Sequence, residues 1–452
     1  MTPNADALAP AFGLAVLLPA TVVLFVIALV AGRKIQSLPG RFLFAALWVR
    51  MILGAYHVYM FKPLAAGLSG NALASIAIVG IGLAIIRVRH LMLTILLPAY
   101  LLMALVALSG VLNGDMAGVM SVIVKYAYFI VILIAAFEAC RQDGTEQLMP
   151  LLIWAFAPLL VFQWLSLALH LPKGSESGDG LVWIGGYNHE AAFSVALVAG
   201  FVVGCFARAA HPLPRVVFLL AMLVGIQLAG YRTAIFAMGP LAVATLWIGI
   251  TTSVRRDQRP FMAGVGAALA VLLVGVAVVF YADKFADIAT IAANPGALIK
   301  PPREFTWADK QVLSARAYIW SSYIYAWKEG GPVQHLFGFG PESWEGLFKV
   351  YPHNTLVGTV YELGLVGVLG MLSLWLTMLW VAINAKGERL MLIAAHASFL
   401  LLNMATMPFW QVEGLGLYGF LCGYTMYRAR ALASPRREAI AVRSADWRPA
   451  PS

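Results

Sequence analysis

The residues best suited to chemistry are one histidine and two arginines that border apolar stretches of the chain. His353 stands at the end of a long polar stretch and just before an apolar run, Arg316 lies within that polar stretch, and Arg232 separates two apolar runs. An imidazole that titrates near neutral pH can accept a proton from a hydroxyl group. Arginine next to a helix N-terminus can bind phosphate. The three residues therefore predict a base and a phosphate clamp.

Each of these side chains also has a structural interpretation. His353 could be an interfacial histidine that makes a single hydrogen bond. Arg232 and Arg316 could extend to lipid headgroups, because long cationic side chains commonly do so at a membrane surface. Arg50 and Lys125 fall inside apolar runs, where they either face a polar cavity or reach the surface in the same way.

The composition predicts an all-α, polytopic membrane protein with about 12–13 transmembrane helices. Of its 452 residues, 61% are hydrophobic and only 12% are charged, and apolar runs of 18 or more residues recur. We expect one transmembrane domain, residues 1–428, because the sequence shows no internal repeat or second soluble domain. The predicted spans are 12–32, 42–61, 69–86, 91–113, 117–139, 147–170, 189–207, 216–230, 232–251, 261–282, 354–383, 390–408 and 412–427.

The positions of basic residues predict the orientation. Nineteen lysines and arginines fall in one alternating set of loops and the C-terminal tail, against ten in the opposite set. The richer set is expected in the cytoplasm, which places the N-terminus in the periplasm and the C-terminus in the cytoplasm. Residues 429–452 are expected to be a disordered cytoplasmic tail. Residues 283–352 form the large periplasmic loop, in which 311–328 is typical of an interfacial helix rich in Tyr and Trp.

The net charge of +10 does not predict nucleic-acid binding, because the basic residues are spread over short loops. Cys140, Cys205 and Cys422 have no metal-binding or pairing pattern. The sequence also lacks an ATP-binding phosphate loop and a His/Cys zinc pattern. We therefore expect no metal and no cofactor, and a donor substrate that arrives already activated.

Several neighbouring residues could support the site. Trp320 follows Arg316 by four residues, so both would lie on one face of a helix. Glu190 opens the seventh predicted span together with Asn188 and His189, on the same side of the membrane. Asn188 is at least as well explained as a helix cap.

Three motifs resemble those of the O-antigen ligases and their polymerase relatives. His353-Asn354 is followed by nine residues, Gly364, two residues and Gly367. Arg232, in Tyr-Arg-Thr-Ala, is similar to an arginine of that family, although Tyr231 and Thr233 depart from the usual neighbours. Arg316-Ala-Tyr-Ile-Trp320 and the later Gly338-Phe339-Gly340 resemble a third family segment, and all three occur in family order over about 230–370.

The resemblance implies a metal-independent glycosyltransferase with the polytopic C-type architecture, acting at the periplasmic face of the bacterial inner membrane. Arg232 and Arg316 would hold the pyrophosphate of a glycan linked to undecaprenyl pyrophosphate, and His353 would deprotonate the acceptor. Asn354 would orient the imidazole or cap the helix, with Trp320, Tyr231 and Glu190 as supporting residues.

Three functions remain open at this point. The compact loop, in which His353 follows Arg316 by 37 positions, is more similar to the polymerases of O-antigen and exopolysaccharide. A polymerase extends another lipid-linked glycan, whereas a ligase transfers the glycan to lipid A–core. A flippase for lipid-linked oligosaccharide is the third alternative. A chain-length regulator and a flippase are the expected protein partners of a polymerase.

Overall fold

A computed structural model describes residues 11–65, 67–175, 180–207, 212–252, 254–280, 282, 299–307, 309–311, 315–385 and 387–430. Helices dominate these residues. Most residues of the predicted C-terminal tail lie outside the described ranges. Residues 283–298, the first part of the predicted large loop, lie outside them as well.

The first half of the described chain is a series of apolar helices with short connections. Polar residues cap several of them: the side chain of Ser37 accepts from the Gly40 amide, and that of Ser69 accepts from the Ala72 amide. The helices are α1 (Leu14–Gly32), α2 (Leu38–Ala55), α3 (His57–Met60), α4 (Gly70–Ile85), α5 (Val88–Leu91), α6 (Leu97–Asn113), α7 (Met116–Asp143), α8 (Thr145–Leu152) and α9 (Ala157–Ala168), with 3₁₀ turns at Thr94–Leu96 and Ile153–Phe156.

The second half contains two short helices between longer ones. The helices are α10 (Glu190–Phe206), α11 (Pro212–Leu228), α12 (Arg232–Thr252), α13 (Arg259–Phe280), α14 (Arg316–Lys328), α15 (Pro332–Phe337), α16 (Thr355–Asn384), α17 (Arg389–Asn403) and α18 (Val412–Arg430), with 3₁₀ turns at Pro302–Glu304 and Asp309–Gln311. Strands among the described residues form two small antiparallel hairpins, which pair Pro63–Ala65 with Leu68–Ser69 and Lys173–Gly174 with Leu181–Val182.

Seven helical stretches of the described chain are long and apolar enough to cross a membrane: Leu14–Gly32, Leu38–Ala55, Thr94–Asn113, Met116–Asp143, Thr145–Ala168, Arg232–Thr252 and Thr355–Asn384. Shorter apolar helices accompany them, among them α4, α10, α11 and α17. Helices satisfy their own backbone hydrogen bonds, as the interior of a bilayer requires. The prediction of an all-α polytopic membrane protein is confirmed.

The core of the bundle is built around α7. Its residues from Tyr128 to Cys140 are buried on every side, which is typical of a helix surrounded by other helices. Aromatic rings join it to its neighbours: Phe129 stacks on Tyr418 of α18 with 5.7 Å between ring centroids, and Tyr418 stacks on Phe399 of α17 at 4.2 Å. The central helix therefore connects the N-terminal helices to the C-terminal ones.

The buried arginine of α2 is satisfied inside the protein. Arg50 is only 2% exposed. Its guanidinium donates to the side-chain oxygen of Asn71 at 2.6 Å and to the hydroxyl of Ser75, and it lies over the ring of Tyr128. Of the two alternatives for this residue, the structure shows a polar internal environment provided by α4 and α7.

Candidate active site

The first turns of α12 and α14 meet at a hydrogen bond between Arg316 and Thr233. Arg316 begins α14, and its Nη1 donates to the hydroxyl of Thr233 at 3.2 Å. Thr233 immediately follows Arg232, the first residue of α12. A residue with φ of +66° precedes each helix: Gly230 stands two positions before α12, and Ala315 stands immediately before α14. The structure thus brings together two arginines that lie 84 positions apart.

This arrangement is suited to an anion. A helix N-terminus carries a partial positive charge and backbone amides without helical partners. Two such ends meet here, each beginning with an arginine. Guanidinium groups form strong, often bidentate hydrogen bonds to anionic oxygens, so arginines at the start of two helices that contact each other suit an anion with two or more negative charges.

His353 precedes its helix and does not begin it. The predicted span starts at Asn354, whereas α16 starts at Thr355 with Asn354 as its cap. The side-chain oxygen of Asn354 accepts from the amides of Leu356 and Val357 at 2.9 and 3.2 Å. His353 itself has φ of +51°, a conformation that non-glycine residues seldom adopt outside functional or turn positions.

A short segment after α17 ties the histidine to the arginines. The side-chain amide of Asn354 donates to the carbonyl of Met404 at 2.9 Å, and the hydroxyl of Tyr231 donates to the carbonyl of Ala405 at 3.2 Å. The Cα atoms of two consecutive residues are only ~3.8 Å apart. The residue after His353 and the residue before Arg232 are therefore fastened to adjacent points of one backbone.

The imidazole of His353 lies against an aromatic ring. Its centroid is 3.9 Å from that of Tyr351, with 33° between the planes, and Tyr351 is 5.8 Å from His189. His189 caps α10, because its Nδ1 accepts from the Ala191 amide at 3.0 Å. We expected Asn188 in that role. The ring of Tyr351 therefore links His189 to His353, and Glu190, the first residue of α10, is 4% exposed.

Helix α14 is held against the segment that leads to His353. The hydroxyl of Tyr323 donates to the carbonyl of Val350 at 2.8 Å, and its ring stacks on Phe348 with centroids 4.0 Å apart. Burial, with a smaller contribution from the Glu362 carboxylate, raises the pKa of Tyr323, so this phenol remains a donor. Trp320, one turn after Arg316, is half-buried on this helix.

Glycines of the first and third motifs position backbone rather than substrate. Gly364 has φ of +65° and interrupts α16. The break leaves two carbonyls available, and the amides of Phe339 and Gly340 donate to those of Tyr361 and Glu362 at 2.9 and 3.0 Å. A Cβ on Gly338 would lie 2.2 Å from the carbonyl carbon of Glu362. The loop therefore docks into the kinked helix where only glycine fits.

Helix α6 supports the same junction with residues that the sequence gave no reason to select. The hydroxyl of Ser109 lies 2.5 Å from the Phe337 carbonyl and 2.9 Å from that of Glu362. The side-chain amide of Asn113 donates to the Gly338 carbonyl at 3.0 Å. These are single polar residues in an apolar helix, and no spacing in the sequence distinguishes them.

The intramembrane lysine is paired with the same loop. Lys125 of α7 forms an ion pair with Glu342, and its ammonium lies 5.7 Å from the ring centroid of Trp410. Nearby, burial and the carboxylate of Glu342 raise the pKa of Glu345. Lys125 thus joins the central helix to the loop between α15 and α16.

The sequence patterns did not identify Thr233, Tyr351 or the Met404–Ala405 backbone as parts of the candidate site. Thr233 was noted only as a departure from a motif. The break before α18, with Pro408 between apolar runs, is the one signal that could have drawn attention to residues 404–411. Among the described residues, no group of three or more His, Cys, Asp or Glu side chains is arranged to hold a metal ion.

The fold defines a polytopic helical membrane protein. Arg232 and Arg316 begin two helices that contact each other, and Asn354 and Tyr231, the neighbours of His353 and Arg232, bond to consecutive carbonyls of one segment. Residues 217–372 match the family model described as O-antigen ligase. The matched range includes Arg232, Arg316, His353 and Gly364. The resemblance to this family is confirmed over the matched range. No curated protein matches the chain.

Proposed function

We propose that this protein is an inner-membrane glycosyltransferase that joins lipid-linked oligosaccharide repeat units into a surface polysaccharide, either O-antigen or exopolysaccharide. The family match supports an enzyme of the O-antigen ligase and polymerase type in general. The observation that carries the specific proposal is the hydrogen bond from Arg316 to Thr233, next to Arg232. This hydrogen bond supports the proposal because it joins the helix that begins with Arg316 to the helix that begins with Arg232.

In this proposal the donor is a glycan on undecaprenyl pyrophosphate at the periplasmic face. Arg232 and Arg316 bind the pyrophosphate, and the two helix N-termini add to the positive potential. Negative charge grows on the pyrophosphate as its bond to the sugar breaks. Preorganised cations therefore stabilise the transition state more than the ground state. Grooves between the apolar helices would hold the polyprenyl chain.

His353 is the proposed general base. It takes the proton from an acceptor hydroxyl as that oxygen attacks the anomeric carbon, and the bond from that carbon to the pyrophosphate oxygen breaks with inversion. The ring of Tyr351 restricts the imidazole on one face. Asn354 fixes the backbone behind it through the Met404 carbonyl. Glu190 and Trp320 are expected to contribute to the walls of this site. The arginines, rather than a metal ion, stabilise the charge of the leaving pyrophosphate in this proposal.

The second candidate is an O-antigen ligase, which would transfer the glycan from undecaprenyl pyrophosphate to lipid A–core. The description of the matching family model favours this reading. The chemistry at the pyrophosphate is the same in both cases, and only the acceptor differs. The short loop between Arg316 and His353, with Phe339-Gly340-Pro341-Glu342-Ser343-Trp344, favours the polymerase.

Deletion of the gene separates the two candidates. Loss of a polymerase should leave single repeat units on lipid A–core, or no extended exopolysaccharide. Loss of a ligase should leave full-length polymer on the polyprenyl carrier. Complementation with the wild-type gene is the control. Polymer of normal length on its normal acceptor in the deletion strain would contradict both. A flippase is distinguished in vitro, because it moves the lipid-linked unit without releasing undecaprenyl pyrophosphate.

A further inference from the structure

A polar cavity lies at the end of the bundle opposite the candidate active site. It has a volume of about 170 Å³ and is lined by Arg87, His90, Glu138, Arg141 and Gln142. Helix α7 has 28 residues and so measures about 42 Å. Its first turn, at Gly118, lies against Pro341 of the loop that docks on α16, whereas Glu138 and Arg141 are in its last turns. The cavity is therefore separated from Arg232, Arg316 and His353 by the length of α7.

A buried pair of residues forms the floor of the cavity. Glu138 is 2% exposed and His90 is 5% exposed. One carboxylate oxygen of Glu138 accepts from the Arg87 amide at 2.8 Å and lies 2.6 Å from Nδ1 of His90. Since a carboxylate accepts, Nδ1 must carry the proton. The edge of His90 also packs on Phe137, with centroids 5.3 Å apart. The hydrogen bond from its amide to Glu138 fixes the backbone of Arg87, so the Arg87 side chain starts from a defined place on the rim of the cavity.

The rim carries two cations that the described part of the protein does not neutralise. Arg87 and Arg141 are exposed, and neither is in an ion pair with a carboxylate of the described residues. The guanidinium of Arg141 lies 5.5 Å from the ring centroid of Phe137. One oxygen of Glu138 is bonded to His90 and to the Arg87 amide, and the two guanidinium groups outnumber this single carboxylate. The cavity therefore has a positive rim.

The same short helix that begins after Arg87 presents apolar side chains outward. Val88 is 69% exposed and Met92 is 80% exposed. In a membrane protein, exposed apolar side chains such as these can lie against lipid acyl chains, and we infer that Val88 and Met92 do so. A ligand at this rim would therefore have its charged part between the two arginines while lipid chains lie alongside Val88 and Met92.

We propose that this cavity binds the phosphate group of a membrane phospholipid headgroup. Guanidinium groups match the geometry of phosphate oxygens and can each donate two hydrogen bonds to them. Basic pockets between membrane helices bind phosphorylated headgroups for this reason. The exposed apolar side chains of Val88 and Met92 favour a lipid over a soluble phosphate ester. This site is independent of the proposed glycosyl transfer.

The test measures lipid binding to the full-length protein purified in detergent. Phosphatidylglycerol is titrated, and the bound lipid is counted by native mass spectrometry. The test variant is R87Q combined with R141Q, and the matched control is R89Q, which removes an exposed arginine from the same helix that does not line the cavity. Surface substitutions of this kind change stability little. Glycerol 3-phosphate serves as the soluble phosphate ester.

We expect one phosphatidylglycerol to bind the wild type and R89Q with equal affinity, and the double variant to bind it at least about tenfold more weakly, as loss of charged hydrogen bonds predicts. Equal binding by the double variant and R89Q would overturn the proposal. Complete displacement of the lipid by an equal concentration of glycerol 3-phosphate would also overturn it, because the cavity would then be a site for a soluble ester.

Discussion

The guanidinium of Arg316 donates to the hydroxyl of Thr233 across 3.2 Å, although 83 positions separate the two residues. This bond joins the first turn of α14 to the first turn of α12, where Arg232 stands. It is one of the contacts that determine where the two guanidinium groups lie relative to each other. The proposed pyrophosphate site therefore depends on a threonine that does not itself carry charge.

Replacement of Thr233 by valine should lower kcat by about tenfold, because loss of a hydrogen bond to a charged group costs roughly 1.5–3 kcal/mol. Thr233→Ser keeps the hydroxyl and should retain most of the activity. The measurement is release of undecaprenyl pyrophosphate by purified protein at saturating donor. Equal kcat for the valine and serine variants would show that Thr233 does not position Arg316.

Removal of either arginine should be more damaging. We expect Arg232→Ala and Arg316→Ala each to lower kcat on the order of 10²-fold or more, the usual effect of losing an electrostatic stabiliser of the transition state. Arg303→Ala is the matched control, since Arg303 is an exposed arginine of the same loop region. Near-normal turnover in either test variant would exclude that arginine from the site.

The ring of Tyr351 should matter more than its hydroxyl. Aromatic pairs contribute about 0.5–1.5 kcal/mol beyond simple burial, so Tyr351→Ala should lower kcat by up to about tenfold as His353 loses its fixed orientation. Tyr351→Phe retains the ring and should stay closer to the wild type. Thermal unfolding of both variants checks that the fold is intact. An alanine variant as active as the phenylalanine variant would contradict this role.

Gly364 should be required for folding rather than for chemistry. An alanine there would adopt φ near +65°, and its Cβ would lie 2.4 Å from the backbone of Leu336. The left-handed conformation alone costs roughly 1–2 kcal/mol. Gly364→Ala should therefore lower the midpoint of thermal unfolding in detergent. Gly239→Ala is the control, because a Cβ at Gly239 meets no atom within 4 Å, and its midpoint should not fall.

The sequence carried the information for the helices more fully than for the site. Long apolar runs identify helices such as α7 and α16, because a bilayer leaves few other options for the backbone. The motifs also pointed to His353, Arg232 and Arg316. The motifs could not indicate that Tyr231 and Asn354 donate to two consecutive backbone carbonyls after α17. Every residue type has a backbone carbonyl, so such an acceptor leaves no pattern in the sequence.

Local rules also misplaced some details. Asn188 is of a residue type that often caps helices. His189 is the cap of α10 instead, because its Nδ1 accepts from the Ala191 amide. The predicted span begins at Asn354, whereas His353 has a positive φ and Asn354 is the cap rather than part of the helix. In both cases the outcome depends on tertiary contacts with Tyr351 and Met404. The predicted spans as membrane crossings, the single domain 1–428 and the cytoplasmic tail stay predictions.

The central claim is that His353 acts as the base while the two arginines hold the departing pyrophosphate. The most direct measurement is a reconstituted reaction with lipid-linked repeat units, in which undecaprenyl pyrophosphate and glycan length are followed together. Wild-type protein and His335→Ala, which alters another histidine of the same loop, should release undecaprenyl pyrophosphate and lengthen the glycan, whereas His353→Ala should do neither. Wild-type rates of release and elongation by His353→Ala would contradict the account.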